Sequence, residues 1–275
     1  MSGKSDRNPE LRRILEELLA GERSLDETLQ RLRVFQVARV GDFARLDTHR
    51  DLRKGVPEVI YASRKSDDDL EAIVRRYLDE RDYALVTRLE PARAETLRLA
   101  LGGAVDCAAA ATTGPIVSYQ ANARTFAAYT SAYRPPEERG CVGLLTAGTS
   151  DIPVAEEAAL LITHMGCRVE RGYDTGVAGL HRLVEPLTRM LESGAAALVV
   201  VAGMEGALPS VVAGLVDIPV IGVPTSTGYG LGGDGTAALY SMLQSCSPGL
   251  VTVNIDNGVG AGAAAALIAR GAATR

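Results

Sequence analysis

Residues 196–206 read AALVVVAGMEG. Seven apolar residues, Ala196 to Ala202, stand without a polar interruption, and Gly203, Met204, Glu205 and Gly206 follow at once. A strand half exposed to water alternates polar and apolar residues. A strand covered on both faces does not, so this run reads as a buried parallel strand. Similar short runs lie on either side, at Val142–Ala147, Val220–Val223 and Leu250–Ile255, with a further strand expected at Arg168–Gly172. Between them lie helical stretches at Asp151–Met165, Ala178–Leu191, Gly206–Leu215, Gly235–Gln244 and Gly258–Ala269. Strand and helix therefore alternate from about Gly140 to the end. That pattern predicts a doubly wound parallel sheet in three layers, flavodoxin-like or Rossmann-like.

The first hundred residues are different. They hold 20 of the 29 basic residues and 20 of the 34 acidic ones. All three lysines, Lys4, Lys54 and Lys65, fall there, so the C-terminal half can hold neither a P-loop lysine nor a Schiff-base lysine. A helix is expected after Pro9. Ser24 and Glu27 have the spacing of a capping box for a second one. Ser66 opens a helix with three aspartates at its positive end, Tyr83–Leu89 reads as a strand, and Glu90–Ala100 as a helix. The expected organisation is a smaller α/β domain over 1–120, a linker over 121–140 and the doubly wound domain over 141–275.

Composition narrows the class further. The net charge of −5 argues against a nucleic-acid partner, which would need a concentrated basic face. No apolar run reaches the roughly 18 residues that cross a bilayer, and the first residues lack the apolar core of a signal peptide. A cytoplasmic protein with no membrane partner is expected. Four cysteines (Cys107, Cys141, Cys167, Cys246) form no C-x-x-C pair, so no structural zinc site is expected.

In parallel sheets ligands gather at the carboxyl ends of strands. After the first strand stand Gly148, Thr149, Ser150 and Asp151, whose helix-opening N–H groups suit a phosphate or carboxylate. After the second come Asp174, His181 and Arg182, and after the third Gly203, Glu205 and Gly206. Thr225 and Ser226 follow the fourth strand, and Asp256 the last. Gly228-Tyr229-Gly230-Leu231-Gly232-Gly233 matches G-x-G-x-x-G, but Pro224 to Thr227 separate it from its strand and its unit is the second to last. A dinucleotide fingerprint occupies the first turn directly after a strand, so a glycine-rich loop over a ligand is the better reading. Cys246 lies in a turn beside Pro248 and Gly249, where a thiol can be reached.

TAGTSD at 146–151, AGLHR at 178–182, MEGALPSVVAGL at 204–215, IPVIGVPTSTGYG at 218–230 and VNIDNGVGAG at 253–262 resemble the PurE family, the aminoimidazole ribonucleotide carboxylases and mutases. Ser150, Asp151, His181 and Arg182 fall on that family's GSxSD and SAHR positions. The long N-terminal domain, Glu205, Cys246 and LDTHRDLRKGVPEVIYA at 46–62 are departures from it, and together they resemble the LarB family. That family makes pyridinium-3,5-biscarboxylate mononucleotide for the nickel-pincer nucleotide cofactor. The resemblance implies nicotinate adenine dinucleotide and CO2 or bicarbonate as substrates, AMP as a product, and a closed homo-oligomer, an octamer in PurE-type domains.

The implied chemistry fits the residue types. A pyridinium ring is too electron-poor at C5 to attack CO2. Adding a thiolate at C4 or C6 turns the ring into an enamine whose C5 is nucleophilic. Loss of the C5 proton and of the thiolate then restores the ring. Cys246 is the family-matched nucleophile. Glu205 and His181 are the candidate bases, with Glu205 preferred. Gly148, Thr149, Ser150, Asp151, Asp174, Arg182, Gly203, Gly206, Thr225, Ser226 and Asp256 are the expected substrate contacts. Asp47, Arg50, Arg53 and Lys54 are expected toward the adenylate. Hydrolysis of the phosphoanhydride calls for a divalent cation such as Mg2+, with Asp151, Asp174 and Asp256 as possible ligands but no visible ligand spacing. An aminoimidazole ribonucleotide carboxylase/mutase and a nucleotide-binding redox protein are the competing readings.

Overall fold

The computed structural model describes residues 9–32, 38–42, 44–48, 50–105 and 114–274. Cys107, Phe43 and His49 lie outside them, as does the side chain of Arg53. Helices α1 (Pro9–Leu19) and α2 (Leu25–Leu32) open the chain, followed by the hairpin β1 (Ala38–Val40) and β2 (Ala44–Leu46) and by α3 (Arg50–Lys54). The expected capping box is present: Glu27 N–H donates to Ser24 Oγ at 3.3 Å and Ser24 N–H to Glu27 Oε2 at 3.1 Å.

Next come β3 (Ile60–Tyr61), α4 (Asp67–Arg81), β4 (Tyr83–Thr87), α5 (Pro91–Ala100), β5 (Ala104–Val105), β6 (Ile116–Gln120) and β7 (Thr125–Tyr129). These strands form one mixed sheet in the order β3-β4-β7-β6-β5. The start of the expected 121–140 linker therefore needs correcting. Thr125–Tyr129 is the central strand of this sheet, antiparallel to both β4 and β6. TFAAY lacks the long apolar run of a buried strand, and only its two partners give it that role. The segment between the sheets begins after Tyr129.

The C-terminal sheet contains β8 (Cys141–Thr146), β9 (Arg168–Gly172), β10 (Ala195–Ala202), β11 (Val220–Pro224) and β12 (Leu250–Thr252), all parallel, in the order β9-β8-β10-β11-β12. This is the flavodoxin-like order, whose switch point lies between β8 and β10. The crossovers are α6 (Ile152–His164), α7 (His181–Glu192), α8 (Leu208–Ala213) and α9 (Thr236–Leu243); α10 (Gly258–Ala272) closes the chain.

Alternation along each strand builds five layers. Leu198 and Val200 face α7, α8 and α9, while Val199 and Val201 face α6 and α10. The far side of α6 and α10 receives Tyr83, Leu85 and Ala127 from the N-terminal sheet. The other face of that sheet, with Ala84, Val86, Phe126 and Ala128, packs on α4 and α5. The small-residue run of α10 serves the α6 contact. A Cβ at Gly258 would stand 2.1 Å from Val154 O, and one at Gly262 2.6 Å from Ala158 O. Only a residue without a side chain lets the two backbones come this close.

Candidate active site

The switch point opens into a cleft of about 350 Å3 at the carboxyl ends of β8 and β10. Three expected strand-end groups build it. The turn after β8 contributes Gly148, Ser150 and Asp151; the turn after β9 leads to Arg182; the turn after β10 contributes Gly203 and Glu205.

Asp151 organises the floor. It is only 4% exposed and accepts three hydrogen bonds: from Gly148 N at 2.9 Å, from Thr225 Oγ1 at 2.7 Å and from Thr227 Oγ1 at 2.9 Å. A buried carboxylate is tolerable only when so many donors replace its water. Thr225 is itself fully buried and supports Asp151 from beneath, whereas Thr227 reaches the cleft wall. Thr146 fixes the neighbouring turn: its Oγ1 accepts from Asp174 N at 3.1 Å and its carbonyl from Thr175 N at 2.9 Å. Arg182 Nη1 then donates to Asp174 Oδ2 at 2.6 Å, which aims a guanidinium at the cleft rim.

The turn after β10 is the most constrained. A Cβ at Gly203 would stand 2.8 Å from Thr225 Oγ1 and 3.0 Å from Thr227 Oγ1. Met204 adopts a left-handed conformation at φ 48, uncommon for a residue with a side chain. Gly206 follows at φ 63 and turns the chain against Ala238 of α9 rather than toward the cleft. Glu205 is exposed between them and lines the cleft. Gly228 and Tyr229 of the glycine-rich loop form another wall. Sequence reasoning did not single out Met204, Thr227 or Tyr229 as site residues. The signal for Tyr229 was available, since a large exposed aromatic in a glycine-rich turn has no core to serve.

His181, the first residue of α7, is exposed beside Arg182 and does not line the cleft. Thr149 is exposed in the same turn as Ser150 without lining it. Ser226 and Asp256 belong to a different place. Ser226 N and Oγ donate to the Asp256 carboxylate at 2.9 and 2.5 Å, and Asp256 lines a second cleft beside α10 and the N-terminal sheet.

Cys246 is exposed in the loop between α9 and β12. That loop precedes its strand, so it lies at the amino end of the sheet, whereas Glu205 lies at the carboxyl end. Its neighbours are tied to α8: Ser245 Oγ and Ser210 Oγ are 2.8 Å apart, and Ser247 Oγ donates to Ser210 O at 2.8 Å. One chain therefore does not bring Cys246 and Glu205 together.

Asp47, Arg50 and Lys54 also lie away from the first cleft. Arg50 pairs with Asp47 at 3.3 Å and approaches Glu58 at 3.8 Å. Gly55, which ends their helix, sits against Leu267 near the far end of α10. The three carboxylates considered for a cation do not converge either. Asp151 is enclosed by hydroxyls, Asp174 is paired with Arg182, and Asp256 is in the second cleft. Among the described residues no group of three or more His, Cys, Asp or Glu side chains has the arrangement of a metal site. No helix among them is long and apolar enough to cross a membrane.

Comparison with known proteins divides the chain in the same way. Residues 37–129 match the family model described as LarB/PurE-like N-terminal domain, and residues 141–274 match the AIR carboxylase model. An uncharacterised protein of Methanocaldococcus jannaschii is 41% identical over 260 residues, covering 94% of this chain and 97% of the relative. An N5-carboxyaminoimidazole ribonucleotide mutase of Thermotoga maritima is 33% identical over 134 residues, covering 46% of this chain and 73% of that enzyme. A mutase of the same name from Methanocaldococcus jannaschii is 32% identical over 118 residues, covering 42% of this chain and 69% of the mutase.

Proposed function

Because the chain belongs to the LarB family, we propose that it carboxylates the pyridinium ring of nicotinate adenine dinucleotide at C5, using CO2 or bicarbonate, and hydrolyses the phosphoanhydride to release AMP. Its domains are those of a carboxylase-type enzyme related to PurE, and the finer assignment is the reading that its site supports best. The observation that carries it is Glu205. A carboxylate exposed in a cleft at the switch point, on a turn held by Gly203 and Met204, supports a general-base role toward a ring bound there. Arg182 and the turn at Thr149–Ser150 supply a cation and helix-opening N–H groups for the phosphate of the mononucleotide.

The sequence of events balances without a redox partner. The Cys246 thiolate adds to the ring at C4 or C6, and C5 then attacks the carbon of CO2. Glu205 takes the C5 proton as the C–S electron pair leaves with sulfur, regenerating thiolate and aromatic ring. Water adds across the P–O–P bridge to give AMP and the mononucleotide. Since one chain holds Cys246 and Glu205 at opposite ends of its sheet, a second copy must present the thiol. This reading therefore requires a homo-oligomer, for which the family resemblance to octamers is the guide. Exposed Tyr240, Leu243 and Val251, which flank Cys246 on α9 and β12, are the kind of apolar surface such an assembly covers.

The test is direct. Purified protein is incubated with nicotinate adenine dinucleotide and 13C-bicarbonate, and products are read by mass spectrometry. Release of AMP with a labelled dicarboxylated mononucleotide is expected. Unchanged dinucleotide with turnover of carboxyaminoimidazole ribonucleotide would replace this reading by the mutase activity named for the bacterial and archaeal relatives.

A further inference from the structure

The second cleft, of about 440 Å3, opens between the two sheets on the same edge of the molecule as the first. Its floor joins three segments distant in sequence. Arg88, just after β4, forms an ion pair with Glu157 of α6, and Arg88 Nη2 donates to Asp256 O at 2.7 Å. Glu157 is 4% exposed, and burial pushes its carboxyl above the usual range while Arg88 opposes that shift. Arg88 and Asp256 are both held in the left-handed region, at φ 58 and 55. A non-glycine residue there is strained, and such strain persists only where the surrounding structure holds it.

The walls show what the cleft would hold. Arg88 is the one cation among the described residues that line the cleft, and it spends both Nε and Nη2 on Glu157 and the Asp256 carbonyl. Asp256 accepts from Ser226 N and Oγ, and a carboxylate keeps further lone pairs for hydroxyl donors. Tyr61 of β3 contributes a ring that is 52% exposed. Asn254 and Asn257 spend their Oδ1 atoms on Ile255 N and Gly260 N at 2.9 and 2.8 Å, leaving amide N–H groups as donors. A flat face, a carboxylate suited to a diol and two amides, without spare positive charge, suit a base and its ribose rather than a phosphate.

We propose that this cleft is a nucleoside subsite, with ribose hydroxyls on Asp256, the base against Tyr61 and ring acceptors on Asn254 and Asn257. The inference rests on the function proposed above only for the nucleoside's identity, adenosine. The loop Thr225–Thr227 links the two clefts, since Thr227 lines the first and Ser226 anchors Asp256 in the second. A dinucleotide whose pyridinium half occupies the first cleft would lay its other half in the second.

Calorimetry on the full chain separates the two readings, with adenosine and nicotinate mononucleotide titrated individually. Adenosine is expected to bind, and Tyr61→Ala and Asp256→Asn are each expected to weaken it roughly tenfold while leaving the mononucleotide unaffected. Arg182→Ala is expected to do the reverse. No adenosine binding to the unaltered chain, or binding insensitive to both Tyr61→Ala and Asp256→Asn, overturns the subsite. Adenosine binding that both variants weaken, with no mononucleotide binding, keeps the subsite and removes the proposed substrate.

Discussion

The two ends of the C-terminal sheet are built on different terms. At the carboxyl end, side chains converge: Asp151 is enclosed by three donors, Arg182 is aimed by Asp174, and Glu205 stands on a turn held by Gly203 and a left-handed Met204. At the amino end the chain turns back through loops that mainly close the fold. Cys246 is exposed there, and His164 is packed among Tyr83, Tyr129 and Tyr133. A doubly wound sheet gathers functional groups at one end because its βα turns all open there. The nucleophile role proposed for Cys246 is useful only if a neighbouring copy turns that end toward a carboxyl-end cleft.

This asymmetry gives the largest expected effect. Glu205→Gln and Cys246→Ala are each expected to remove carboxylation by 100-fold or more, on the order of a lost general base or nucleophile. When the two variants are co-expressed, hybrid oligomers should recover about a quarter of the activity, since random pairing joins an intact thiol to an intact carboxylate in that share of sites. No recovery, with assembly intact by light scattering, would show that thiol and carboxylate must come from the same chain. The opposition of the two ends would then lose its functional meaning.

The second effect is on stability and tests the carboxyl end alone. Asp151→Ala takes the acceptor from the Gly148 N–H and from two threonine hydroxyls, which keep only each other at 2.9 Å. The cost is expected at about 2–4 kcal/mol, as for other losses of a buried hydrogen-bond network. Urea denaturation would read it. A change under 1 kcal/mol would mean that the enclosed carboxylate is not what holds this floor.

Much of this contrast was legible in the sequence. The run at Ala196–Ala202 reads as a strand covered on both faces, and the residues after each strand mark the carboxyl end. What remained hidden depends on contacts distant in sequence. Thr125–Tyr129 reads as linker because its pairing with β4 is distant in sequence, although its hairpin with β6 across Ala121–Arg124 is local. Ser226 and Asp256 read as partners of the first cleft because chain order does not say on which side of the sheet a turn falls. The most consequential case is Cys246. Its exposure was readable from Ser247-Pro248-Gly249, and so was its position before a strand rather than after one. A loop that precedes its strand lies at the amino end of a parallel sheet, so that position alone sets Cys246 apart from the strand-end groups. The three tyrosines around His164 come from segments 83 to 133, and no local pattern joins them.

The smallest effect sharpens the amino end. His164 Nδ1 lies 3.3 Å from Tyr133 Oη, and the Tyr83 ring centroid lies 4.2 Å away. Burial, helped by nearby Arg81, pushes this imidazole down to about 4 from its ordinary 6.5. The folded form therefore holds the ring neutral where the unfolded chain would protonate it. Between pH 6.5 and 4 the unfolded state binds more protons, so stability is full above that window and falls as the pH drops through it. The loss at pH 4.5 is expected at about 2 kcal/mol. His164→Phe, which keeps a flat ring among the tyrosines, should remove that part of the pH dependence and leave the neutral-pH melting point within a few degrees. Thermal melts of both proteins from pH 7.5 to 4.5 decide it. Parallel curves would mean that His164 is protonated as readily in the folded protein as in the unfolded chain, and that the amino end is more open to water than its tyrosine packing implies.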